Sequence, residues 1–187
     1  MDTLLTYRPL TPENWNDFET LFGEKGAYGG CWCTHWHIPR KQRDKYDGNR
    51  DIMKHVVWSG VVPGIIGYMD ADPVAWCSVG PRTDYAALET SRLLKRVDDE
   101  PVWSIACFFV KHGQRNKGIM LQSVQAAVQY ASSQGATIVE AYPIEMKEHM
   151  NAPGGYMGMR SVFVKAGFSE VSQVSDTQYI MRWLIDT

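Results

Sequence analysis

The segment from Val102 to Leu121, VWSIACFFVKHGQRNKGIML, carries an apolar strand through a short basic loop directly into a helix, an arrangement suited to holding phosphate. Backbone N–H groups at the start of a helix have no partner inside it, and the helix dipole adds partial positive charge there, so an anion is stabilised. Arg115 and Lys117 reinforce that field, and Gly118 removes a Cβ that would keep a ligand away from the backbone. Spacing alone leaves open the alternative of an ordinary turn with solvated cations.

A second reactive stretch, Tyr28 to His37, sets Cys31, Cys33, His35 and His37 on alternate positions. Four potential zinc ligands invite a metal reading. If the stretch is extended, the first and last lie about 20 Å apart at ~3.3 Å per residue, and one ion cannot reach all four. If it is helical, alternate residues point to opposite sides. Only a tightly folded loop would bring the four together, so no metal site is expected. His35 or His37 can accept a proton near neutral pH, while Trp32 and Trp36 suit either an apolar ligand or the core.

Val110, Arg115 and Gly118, with Met120 two positions on, resemble the V-x-P-x-x-R-x-x-G-x-G/A signature of the GNAT superfamily of acetyl-CoA-dependent N-acetyltransferases. His112 stands where the family often has Pro, and Met120 where it usually has Gly or Ala, which leaves less room beside a pyrophosphate. Val162 to Val171, VFVKAGFSEV, is similar to a second family landmark, a short helix ending at a Gly-Phe corner before a strand. The Tyr28–His37 stretch, through Gly30 to Trp36, also looks like a G-C-W-C-x-x-W loop of a bacterial branch of the family, where it falls in the region that shapes the acceptor pocket.

The resemblance implies a GNAT-like fold of α/β (α+β) type: a mixed, mostly antiparallel sheet with a central parallel strand pair and flanking helices. Acetyl-CoA is then the cosubstrate. The backbone of Phe108, Phe109 and Val110 would receive the pantetheine arm, and the loop Gln114, Arg115, Asn116 and Lys117, with Gly118, Ile119 and Met120, would hold the pyrophosphate. Cys31, Trp32 and Trp36 would line the acceptor site for a small-molecule or peptidyl amine, and a homodimer is compatible with this reading.

Acetyl transfer from a thioester needs a neutral amine, donors for the oxyanion, and an exit for thiolate. The strand before the loop offers no carboxylate at Ile105, Ala106 or Cys107, so Glu140 is the expected base. An ionised carboxylate in a strand covered on both faces is costly unless it is paired, hydrogen-bonded or near water. The alternative for Glu140 is pairing with an arginine or a solvated strand end. His37 is a second proton acceptor. Phe163 occupies the position where the family commonly has a Tyr that protonates the thiolate, so that role does not carry over. Tyr156 can supply a hydroxyl instead, or be a packed aromatic. A thiol pKa of about 8.5 makes thiolate a tolerable leaving group without an acid.

These residues need a scaffold, and composition bounds it. At 187 residues, residues 1–187 are expected to form one domain. Nineteen Lys and Arg against 21 Asp and Glu give a net charge of −2, which disfavours nucleic acid as a partner. A secretion signal and a long apolar run are absent, so a cytoplasmic protein with no membrane partner and four reduced cysteines is expected.

Periodicity predicts strands at Leu4–Leu10, 65–69, 74–79, Val102–Val110, Ala136–Tyr142, Glu170–Val174 and Tyr179–Leu184. Helices are predicted after Thr11-Pro12, with Trp15, Phe18, Leu21 and Phe22 inward, at Asp44–Trp58, Tyr85–Leu94, Lys117–Gln134 and Met159–Lys165. In the longest, Leu121, Val124, Val128 and Ala131 make the apolar stripe. Two other functions fit the residues: a CoA-binding sensor without turnover, and a metal or redox module built on Cys31 to His37.

Overall fold

The computed structural model describes residues 5–39, 41–42, 47–146 and 155–185. Seven strands, β1 (Thr6–Pro9), β2 (Ile65–Met69), β3 (Asp72–Pro81), β4 (Trp103–Val110), β5 (Ile138–Ala141), β6 (Ser169–Gln173) and β7 (Tyr179–Leu184), form one sheet in the order β1-β2-β3-β4-β5-β7-β6. Every pairing is antiparallel except β4 with β5. A parallel pair needs a crossover long enough to carry a helix, and α4 (Ile119–Ser133) supplies it. The remaining helices are α1 (Trp15–Phe22), α2 (Asn49–Trp58), the one-turn α3 (Ala86–Glu89) and α5 (Arg160–Ala166).

The four apolar residues of α1 at helical spacing, Trp15, Phe18, Leu21 and Phe22, are all buried, as expected. With Met53 and Val57 of α2 they cover Ile66, Trp76 and Phe109 on one face of the sheet. The opposite face is covered by α4 and α5, where Val124, Ala127, Ala131 and Phe163 pack on Ile105, Phe108, Val139 and Ala141. The buried stripe of α4 is rotated from the expected one. Ser123 and Ala127 are buried, whereas Leu121 and Val128 are half-buried, because small residues let the helix lie close to the sheet. The Ser123 hydroxyl is satisfied by Ile119 O at 2.9 Å and Tyr7 Oη at 2.9 Å.

Most element boundaries fall within a residue or two of those expected. The helix expected at Tyr85–Leu94 is only one turn long, and the helix expected from Asp44 starts at Asn49, its first residues lying outside the described set. The Gly-Phe corner is built as expected: Gly167 caps α5 at φ +99°, and Phe168 N donates to Phe163 O at 3.0 Å. No helix among the described residues is long and apolar enough to cross a membrane.

Candidate active site

The parallel pairing of β4 and β5 runs only from Trp103–Val139 to Ile105–Ala141, while β4 continues to Val110. Its last five residues therefore have no strand partner on the β5 side among the described residues. Lys111 N donates to Val74 O on β3 at 2.9 Å, and strand alternation then turns the amides and carbonyls of Val110 and Phe108 toward the open side. One of these groups is already in use, since Val110 O accepts from Arg115 Nε at 3.2 Å. Phe108 itself is core: its ring meets Phe163 edge-on at 6.0 Å.

The open edge leads into the loop before α4. Gly113, Asn116 and Gly118 adopt left-handed backbone angles that fold it back onto the helix axis. Among the described residues no side chain caps the start of α4, and its first turn contains no acidic residue. The amides of Ile119, Met120 and Leu121 have no intrahelical acceptor, and Gln122 N makes the first such bond, to Gly118 O at 3.2 Å. Arg115, Asn116, Lys117 and Gly118 are exposed, and Lys117 Nζ reaches Gln114 Oε1 at 2.9 Å. Ile119 packs against Leu5, Val74 and Ala75, and half-buried Met120 packs against the main core. The side chain at 120, expected to crowd a pyrophosphate, thus lies on the protein side.

The Cys31–His37 stretch is neither extended nor helical. Trp32 and Cys33 both take left-handed angles (φ +46° and +57°), uncommon for non-glycine residues. The turn is anchored to α2, where Asn49 Nδ2 donates to Gly30 O at 2.8 Å and Thr34 Oγ1 donates to Asn49 Oδ1 at 3.1 Å. This geometry sends Trp32 inward, stacked on Phe22 at 5.8 Å and filling the space that a Cβ at Gly26 would occupy. The acceptor-wall role expected of Trp32 is therefore replaced by core packing.

Cys31 and Trp36 stay half-buried, His35 is exposed, and the His35 ring lies 4.7 Å from Trp36 and 6.3 Å from Tyr156. Contact with the Cys33 thiol and burial push the Cys107 thiol well up, and burial raises that of Cys31, so neither is a thiolate at neutral pH. Burial first, then the neighbouring thiols of Cys107, Cys33 and Cys31, pushes the Tyr156 phenol up to about 12. Among the described residues, no group of three or more His, Cys, Asp or Glu is placed to hold a metal ion.

His37 is buried against Tyr85 with ring centroids 4.6 Å apart; Nδ1 lies 3.3 Å from Asp84 O, and Nε2 has no hydrogen-bond partner among the described residues. It cannot meet an amine from solvent, which corrects the expectation of a proton acceptor there. Burial moves its pKa from the ordinary 6.5 to about 4. Between those values the unfolded chain binds a proton that the folded chain does not. Stability should therefore be complete above pH 6.5 and fall as pH drops toward 4. At ~1.4 kcal/mol per pKa unit the whole effect is about 3–4 kcal/mol. Urea unfolding of wild type and His37→Gln across that range checks this, and parallel profiles would assign the slope to another group.

Glu140 is not poised as a base. It is 1% exposed, and both oxygens are occupied: Oε1 accepts from Arg82 Nη1 at 2.9 Å and Tyr142 Oη at 2.8 Å, and Oε2 accepts from Arg182 Nε at 2.8 Å. Arg82 and Arg182 went unnoticed in the sequence. The one available signal was the arginine alternative noted for a carboxylate in a covered strand.

The matches to known proteins agree with this fold. A family model described as the acetyltransferase (GNAT) family matches residues 25–152, and the chain belongs to that family of acyl-transferring enzymes. Among solved structures, a GNAT acetyltransferase from Listeria monocytogenes is similar at 11% identity and TM-score 0.57, with 97% of this chain and 95% of that one covered. One from Streptococcus agalactiae is similar at 14% and 0.57, covering 98% and 96%. The PaiA N-acetyltransferase of Thermoplasma acidophilum, in complex with coenzyme A, is similar at 13% and 0.52, covering 97% and 99%. No curated protein sequence matches the chain.

Proposed function

We propose that the chain moves an acetyl group from acetyl-CoA directly to a primary amine of a small molecule or peptide within a ternary complex. The observation that carries this reading is the continuity of two unsatisfied backbone surfaces: the open edge of β4 at Phe108–Val110 and the uncapped start of α4. The first suits the amide-bearing pantetheine arm, added like a strand, and the second suits a diphosphate. A main-chain N–H on that edge would polarise the thioester carbonyl. The coenzyme A held by the PaiA relative supports the same occupant.

Because Glu140 is engaged and His37 is enclosed, exposed His35 takes the amine's proton, directly or through water. Tyr156, whose phenol stays protonated at neutral pH, returns a proton to the departing thiolate. Tyr156→Phe should lower kcat roughly 10²-fold, with KM for acetyl-CoA and the melting temperature little changed. An unchanged kcat would remove Tyr156 from the mechanism. A second reading, CoA binding without turnover, is favoured by the structural roles of Phe163 and Glu140.

The test is thermal melting with acetyl-CoA, followed by thiol release over a panel of amines. Ligand at a hundred times its Kd should add about 2.7 kcal/mol. Absence of any shift would sink both readings, and released thiol selects the enzyme.

A further inference from the structure

Residues 82–98 carry little regular structure, yet they are held firmly at several points. Buried Arg82 donates from Nη2 to the carbonyls of Leu88 at 3.3 Å and Leu94 at 2.6 Å. Asp98 accepts from both terminal nitrogens of Arg182 at 2.6 and 2.9 Å. Between these anchors Arg92, Lys95 and Arg96 line one side of an open groove of about 440 Å³, whose other wall is Ser172, Val174 and Ile180 of the β6–β7 hairpin.

Among the described residues no carboxylate lines the groove, although Glu89 neutralises its Arg96 and exposed Asp99 and Glu100 follow it in the chain. Glu89 pairs with Arg82 and Arg96, Asp98 with Arg182, and Glu170 with Arg160. Arg92 and Lys95 have no ion-pair partner among the described residues, so two of the three cations lining the groove are uncompensated by a contacting carboxylate. Leu93 and Val97, 49% and 40% exposed, add apolar surface that an inorganic anion would not use. The groove also lies at the free end of the sheet, where β6 is the last strand.

Its position relative to the open edge of β4 follows from the register. Ile180 adjoins Met181, which pairs with Ala141, which pairs with Ile105, so the groove lies two strands from β4, about 10 Å at ~4.8 Å each. Phe108 is three residues beyond Ile105, about 10 Å along the strand, which makes the separation roughly 14 Å, or four extended residues. One apolar cluster joins the two places: Leu94 and Ile180 pack with Ala106 of β4, and Trp36 of the Cys31–His37 turn packs against them.

We propose that this groove binds acidic side chains of an extended peptide whose amine, about four residues away, is the acetyl acceptor. The inference rests on the acetyltransferase reading and names its substrate class. Two cations without partners, an ordered wall and an apolar floor recognise a run of glutamate or aspartate in a polypeptide. They would repel a basic one.

The probe is a peptide with a free N-terminal amine, three glutamates from its fifth residue and a C-terminal fluorophore, compared by anisotropy with the same peptide carrying lysines. With CoA bound, the glutamate peptide should bind about tenfold more tightly, and the double variant Arg92→Glu/Lys95→Glu should abolish that preference. The CoA-induced rise in melting temperature should be the same in the variant. Equal binding of the two peptides, a preference retained in the variant, or displacement by millimolar phosphate would overturn the proposal. If the CoA shift persists while the preference is missing, only the groove is misread. If CoA gives no shift in wild type, the acetyltransferase reading itself has failed.

Discussion

Gly118→Asp should leave the chain folded and remove its response to acetyl-CoA. Gly118 is the residue before α4, at φ +73°, and a Cβ built on it meets nothing within 4 Å. The space beside it is where a diphosphate would approach the free amides, so an added side chain obstructs the ligand rather than the protein. A non-glycine residue in that backbone region costs about 1–2 kcal/mol, and aspartate is among the residues that tolerate it best. Its carboxylate is also a favourable neighbour for a helix start and can accept from the amides that would otherwise bind phosphate. The substitution thus satisfies the site from within and adds a charge that repels the ligand.

In wild type, acetyl-CoA at a hundred times its Kd should raise the melting temperature roughly 5–10 °C for a chain of this length. In the variant that rise should vanish, while the unliganded melting temperature moves by only a few degrees. A ligand-induced rise of wild-type size in Gly118→Asp would mean that the phosphates bind elsewhere. Gly118→Ala separates the two effects, because it brings the strain without the charge and should keep part of the shift.

The strand, loop and uncapped helix start around Gly118 were legible in the sequence because their signals are local. A helix start makes its own anion site from backbone amides, and Arg115, Lys117 and Gly118 lie within a turn of it. The Gly-Phe corner and the apolar face of α1 were legible for the same reason, since capping and helical periodicity act over a few residues. The surroundings of Glu140 were not, because its partners Arg82 and Arg182 lie 58 and 42 residues away and are brought together only by the sheet. Nor was the direction of Trp32, which depends on two consecutive left-handed residues held by Asn49 of α2. His37 looked like a pH-responsive group by residue type, and only its packing against Tyr85 shows it to be enclosed.

Glu140→Ala should destabilise the fold severely rather than simply slow the enzyme. The carboxylate is the shared acceptor for Arg82, itself 1% exposed, and Arg182. Without it, Arg82 Nη1 keeps only Tyr142 Oη, and the guanidinium keeps Glu89 as its single ion-pair partner. Removing one member of a buried ion pair leaves an uncompensated charge, which costs about 3–5 kcal/mol. At 2–4 °C per kcal/mol, the melting temperature should fall by roughly 10 °C or more. Glu140→Gln keeps the side-chain shape and one acceptor oxygen, so it should lie between the two.

The pair of variants separates structure from catalysis. If Glu140 were the general base, Glu140→Gln would lose roughly 10²-fold or more in kcat at a nearly wild-type melting temperature. If it is the hub described here, both variants should follow stability: turnover well below the melting transition stays near wild type in Glu140→Gln, and the acetyl-CoA shift survives in both. Arg82 also orders the carbonyls of Leu88 and Leu94, so loosening the hub loosens the wall that carries Arg92 and Lys95. Glu140→Gln should therefore weaken binding of the glutamate peptide while leaving acetyl-CoA affinity intact, because the backbone amides proposed to hold the diphosphate lie at the other end of β4.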